Sequence, residues 1–286
     1  MAVALQTFGD RLAAEVERKR SQLVVGLDPR VDLMPVELRG DVARFCCGLV
    51  DAVAPHAVAV KPQLAFFEAL GPPGIGAFDE VCTYARRAGL LVIADGKRGD
   101  IGSTARAYAE AYLEGDAPRA DALTVNPYLG RESVEPYLAA ARRNGAGIFV
   151  IVKTSNAGGD VQDLQLTDGH PLWHQVASLV TEWGEDLVGD VGLSSVGAVV
   201  GATHPRAVAD ARRLMPQAVL LLPGIGAQGG AVSDLTRAFQ SGPASALVNA
   251  SRSVDYAFRD HGGDYRSAAG AEASRLKQEI WAASGW

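Results

Sequence analysis

Residues 90–105, LLVIADGKRGDIGSTA, pass from an aliphatic run through a glycine-broken, charged turn into a stretch of helical period. The run up to Asp95 reads as a strand buried on both faces, because a strand with one wet face would alternate apolar and polar residues. A strand that turns directly into a helix is the first half of a βαβ unit, whose next strand lies parallel to the first.

The same alternation recurs in both directions. Aliphatic runs at 23–28, 57–61, 90–95, 122–125, 148–152, 197–200, 218–222 and 246–249 are separated by helical candidates at 41–54, 77–88, 103–114, 133–144, 172–186, 205–214, 229–239 and about 265–282. Eight strands and eight helices predict an α/β fold, a (β/α)8 TIM barrel occupying residues 1–286 as a single domain. Periodicity cannot show whether the sheet edges meet, so a doubly wound open sheet stays as the alternative. No Pro/Ser-rich linker or like-charge block divides the chain. GPPGIG (71–76) and SNAGGDVQDLQLTDG (155–169) are predicted loops, the second long enough to cover the barrel mouth or to be a plain surface insertion.

With 48% hydrophobic residues among 286, the chain can fill a large core without cross-links. A net charge of −6 argues against nucleic acid polymers and anionic membranes, which are held by clustered Lys and Arg. The first twenty residues lack a signal-peptide pattern and no later run has the apolar length of a membrane span, so a cytoplasmic protein is expected. Cys46, Cys47 and Cys82 have no ligand-like spacing and read as buried free thiols.

Polar residues gather where the strands end: Asp28, Lys61, Asp95 with Lys97 and Asp100, Asn126, Ser155, His204, Gln228 and Arg252. In a barrel these positions converge on the mouth that holds the chemistry, although Asp28 or Asn126 taken singly could equally cap a following helix. Lys97, lying between two aspartates, is expected to stay protonated and to serve as a proton donor. Lys61, from the preceding strand, would complete an array of two cations and two anions, fixed before substrate arrives; the same residues could also form a solvated rim of salt bridges. PGIGAQGG (223–230) followed by Arg252 suits a phosphate, since glycines let backbone N–H groups approach it and an arginine can grip two oxygens.

These segments carry a resemblance. GLDP (26–29), VKPQ (60–63), DGKRGD (95–100), TVNPYLG (124–130), VKTSN (152–156), PGIGAQGG (223–230) and SRS (251–253) together resemble the orotidine 5'-phosphate decarboxylases, most closely their longer bacterial branch, over nearly the whole chain. The resemblance implies decarboxylation of orotidine 5'-monophosphate to uridine 5'-monophosphate, without a metal or other cofactor, by a homodimer with shared sites. It implies that Asp28 binds a ribose hydroxyl, that Lys61 links the ribose to the aspartates, and that Asp95 faces the substrate carboxylate. Lys97 would protonate C6. Asp100, Ile101 and Thr104 would reach into the partner's site, Ser155 would read the pyrimidine amide edge, and Pro223, Gln228 and Arg252 would surround the phosphate end.

The chemistry agrees with these residue types. Loss of CO2 from C6 leaves a lone pair in the ring plane, out of reach of the π system, so a positioned ammonium is the useful partner. A Mg2+-dependent sugar-phosphate decarboxylase or aldolase of the same superfamily would have a carboxylate where Lys61 stands. A Schiff-base aldolase would need a lysine of depressed pKa, against the effect of flanking aspartates. A non-catalytic phosphate-ligand barrel is the remaining alternative.

Overall fold

In the computed structural model, which describes residues 5–115, 118–156, 158–225 and 230–286, the eight strands close on themselves. They are β1 (Leu23–Leu27), β2 (Ala59–Pro62), β3 (Leu91–Arg98), β4 (Ala122–Val125), β5 (Gly147–Lys153), β6 (Ser194–Val200), β7 (Ala218–Pro223) and β8 (Ala246–Ala250). Each pairs in parallel with the next, and β8 returns to β1 with Leu23 opposite Val248. That last pairing removes the open-sheet alternative.

Side-chain alternation sorts the core into two layers. Val25, Val60, Val92, Leu123, Val150, Leu220 and Val248 face outward and pack under the helices. Val24, Ala59, Ile93, Ala122, Phe149, Val219 and Leu247 face inward and fill the barrel. Both faces are therefore apolar, as the uninterrupted aliphatic runs required. The crossover helices Val42–Val53, Gly102–Leu113, Arg131–Asn144, Leu172–Gly184, Pro205–Leu214 and Tyr265–Ser284 match their predicted positions within a few residues.

Four features differ from the sequence reading. Residues 72–76, expected as loop, are the first turns of the helix Pro72–Arg87; proline suits its N-terminus, and Gly74 lies so close to the Phe67 carbonyl that a Cβ would stand 1.9 Å from it. The seventh crossover is a 3-10 helix, Val232–Phe239. The loop 155–169 contains a short 3-10 helix, Gly159–Asp163. An additional helix, Phe8–Lys19, starts at Thr7, whose hydroxyl accepts the Asp10 N–H at 3.1 Å. Its buried Phe8, Leu12 and Val16, spaced four apart, close the bottom of the barrel, with Phe8 edge-on to Phe149 at 5.8 Å between ring centroids.

All three cysteines are free. Cys46 and Cys82 are buried, and burial pushes the half-buried Cys47 thiol up to about 11, which leaves it a poor nucleophile.

Candidate active site

The strand C-termini deliver their polar side chains to one mouth. Between the pairs Ala94↔Leu123 and Arg98↔Val125, β3 spends four residues where β4 spends two. This bulge re-aims the strand end, so that Asp95 and Lys97 both serve the mouth. Lys97 is one of two described non-glycine residues with positive φ, at 46°, a conformation that stores strain on the order of 1 kcal/mol or more. Its backbone N–H is held by Thr124 Oγ1 at 2.9 Å, which fixes that conformation from the neighbouring strand.

Asp95 is the centre of the cluster. Its Oδ2 accepts from Lys61 Nζ at 2.5 Å and from Gln63 Nε2 at 3.1 Å; its Oδ1 accepts from Lys97 Nζ at 2.5 Å and from Thr124 Oγ1 at 3.0 Å. Burial raises a carboxyl pKa, but the two ammonium groups outweigh it and hold Asp95 below the usual carboxylate range. Lys61 is fully enclosed. Burial lowers its pKa, Asp95 and Asp28 raise it by more, and the amine stays charged. The Lys97 side chain, by contrast, is 46% exposed, so its amine meets both Asp95 and the open mouth.

Beside this cluster lies a cavity of about 170 Å3 lined by Asp28, Lys61, Pro223, Gly224, Ile225, Asn249, Ser251 and Arg252. Four strand ends or their following loops thus meet there, with two cationic side chains. Asp28 is pushed upward in pKa by burial, opposed by Lys61 and by a hydrogen bond from Ser251. The Asp28 turn is clamped from behind: its N–H donates to Asp255 Oδ2 at 3.1 Å, and its carbonyl accepts from the Tyr256 hydroxyl at 2.7 Å. That hydroxyl also accepts the Arg30 N–H at 2.7 Å. Burial, with Asp28 nearby, raises the Asp255 carboxyl well above its ordinary range.

The remaining expected residues fall into three groups. Lys61, Asp95, Lys97, Asp28, Pro223 and Arg252 share the mouth, while Ser155 packs against Gly201 after β6, leaving no room for a side chain at that glycine. Asp100, Ile101 and Thr104 stand at the start of the helix Gly102–Leu113, with Ile101 52% exposed. Asp100 corrects the reading of Lys97 as flanked on both sides: within one chain its carboxylate accepts the adjacent Ile101 N–H at 2.8 Å, and no described ion pair joins it to Lys97. Gln228 lies outside the described residues.

Three other polar positions are resolved. Lys153 is buried and salt-bridged to Asp163 at 2.6 Å, so it anchors the loop after β5. Asn126 accepts the Tyr128 N–H at 3.0 Å in a local turn, and His204 is exposed at the start of Pro205–Leu214 without a capping bond. Gln63, Thr124, Asn249 and Asp255 were not singled out in sequence. Gln63 and Thr124 sit inside quoted motifs, and inward alternation from Ala122 marks Thr124; Asp255 carries no such signal.

Fold and site together define a (β/α)8-barrel enzyme with a lysine–aspartate–lysine cluster beside a cavity lined by Asp28, Lys61 and Arg252. The sequence model of the orotidine 5'-phosphate decarboxylase / HUMPS family matches residues 21–260. Curated relatives include orotidine 5'-phosphate decarboxylases of Rhodopirellula baltica, 47% identical with 89% of this chain and 90% of the relative covered, and of Deinococcus radiodurans, 51% identical with 88% and 90% covered. The solved structure of Leishmania donovani OMP decarboxylase is 34% identical, has a TM-score of 0.77, and is matched over 98% of this chain and 99% of its own. The chain belongs to the orotidine 5'-phosphate decarboxylase / HUMPS family.

Proposed function

We propose that the chain, as a single catalytic domain, is a cofactor-independent carboxy-lyase. It converts orotidine 5'-monophosphate to uridine 5'-monophosphate and CO2, the last step of de novo pyrimidine synthesis. The observation that carries this reading is Asp95 between Lys61 and Lys97, at 2.5 Å from each amine, at the mouth of the barrel. Curated relatives that share 36–51% identity and bear this activity's name support it.

The substrate's phosphate lies toward Arg252 and Pro223, its ribose toward Asp28 and Lys61, and its carboxylate toward Asp95. Ser155 reads the amide edge. The C6–CO2 bond breaks with both electrons left on C6, and the Lys97 ammonium stabilises that charge before handing C6 a proton. The resulting neutral amine recovers its proton from solvent. Asp95 holds Lys97 in place through the cycle, and its charge also disfavours the substrate carboxylate relative to the transition state, where that charge is leaving as CO2.

The enzyme works in the cytoplasm as a homodimer, in which Asp100, Ile101 and Thr104 of one chain complete the site of the other. Among the described residues no helix is long and apolar enough to cross a membrane. Loss of orotidine 5'-monophosphate absorbance is the direct assay. Lys97→Ala should lower kcat by about 10² to 10⁴ while the folded protein still binds uridine 5'-monophosphate. An unchanged kcat removes the assignment.

A further inference from the structure

Two acceptors beside the cluster lack a donor. Asp28 Oδ1 and Asn249 Oδ1 are shielded from solvent and have no hydrogen-bond partner among the described residues. Both side chains line the same cavity, and Asn249 is 6% exposed. Buried acceptors are rarely left empty, because water has been removed from them with nothing in return.

The orientation of the Asn249 amide follows from its neighbours. Ser251 Oγ accepts from Asn249 Nδ2 at 3.3 Å. The hydroxyl is seated over Gly26, where a Cβ would stand 1.9 Å from it. The amide nitrogen is thus committed to Ser251, and the amide oxygen is left to the cavity. A ligand that satisfies this arrangement brings hydroxyl donors for two acceptors and an anionic group for Arg252, which is the chemistry of a sugar phosphate.

We propose that Asn249 is a further substrate-binding residue whose side-chain oxygen accepts a hydrogen bond from one ribose hydroxyl of the nucleotide, while Asp28 takes the other. The inference rests on the function proposed above and adds a specificity contact to that site.

The test measures dissociation constants of uridine 5'-monophosphate and its 2'-deoxy and 3'-deoxy analogues for the full-length protein and for Asn249→Leu. The substitution should weaken uridine 5'-monophosphate about five- to tenfold and leave one deoxy analogue, the one lacking the contacted hydroxyl, unaffected. Equal weakening of all three ligands, or no weakening of any, overturns the proposal. Asn249→Ala repeats the comparison without added bulk if leucine unfolds the strand end. Failure of the unmodified protein to turn over orotidine 5'-monophosphate would instead overturn the parent reading.

Discussion

Replacing Asp95 with asparagine keeps the shape of the side chain and removes the charge that satisfies Lys61. The Lys61 and Asp95 side chains are each 7% exposed and 2.5 Å apart, so the variant leaves an enclosed ammonium facing a neutral amide. Breaking a buried pair from one side costs about 3 to 5 kcal/mol. The lower end applies here, about 3 kcal/mol, because Asp28 still attracts Lys61 and the amide oxygen still accepts one bond. Lys97 adds little, as its 46% exposed side chain is screened by water.

The pH dependence is distinctive. In the unmodified protein the Lys61 pKa is raised, so its stabilising contribution is complete below the unfolded lysine value of about 10.4 and fades only as pH climbs through the higher folded value. In Asp95→Asn, burial dominates and draws the folded Lys61 pKa down, so the variant gains stability as pH rises toward about 10.4. The two stability curves therefore converge at alkaline pH. On the acid side, the lowered Asp95 pKa means that its contribution is present above the unfolded carboxyl value of about 3.9 and is lost as pH falls through the lower folded value. Urea unfolding reads this directly: with a slope of about 3 kcal/mol per molar urea, the midpoint at neutral pH should drop by about 1 M. A drop under about 0.3 M, or a gap that stays constant on raising the pH to about 9.5, refutes the account of Lys61 as a buried cation held by Asp95.

Arg252→Ala should reduce kcat/KM for the whole nucleotide by about 10² or more, since an arginine on a phosphate supplies charge and geometry at once; steady-state kinetics showing less than about a threefold loss would remove it from the phosphate site. Mixing Lys97→Ala with Asp100→Ala under conditions of proven subunit exchange should restore activity, because a hybrid dimer would hold one complete site; no recovery rejects sharing between chains. Asp163→Ala should free Lys153 and loosen the Gly159–Asp163 segment, so limited proteolysis near residue 160 should quicken by several-fold. Unchanged cleavage would mean that this ion pair does not hold the loop.

The amino-acid sequence by itself determined the strand count, the alternation of strands with crossover segments, the apolar character of both sheet faces, and the identity of the charged residues at the strand ends. These are legible because helical and strand periods and a charge in an aliphatic run are local properties of the chain. Lys61, Asp95 and Lys97 could accordingly be assigned to one mouth, and the motif resemblance supplied their roles. Closure of β8 on β1, the plugging of the barrel by Phe8–Lys19, and the attachment of Lys153 to Asp163 were decided in three dimensions. So were the two-sided grip on Asp95, the separation of Asp100 from Lys97, and the clamp of Asp255 and Tyr256 on the Asp28 turn. Each depends on which side chains distant in the chain, or turned by a bulge, come within about 3 Å of one another, and hydrogen bonding at that range is set by packing and not by spacing along the chain.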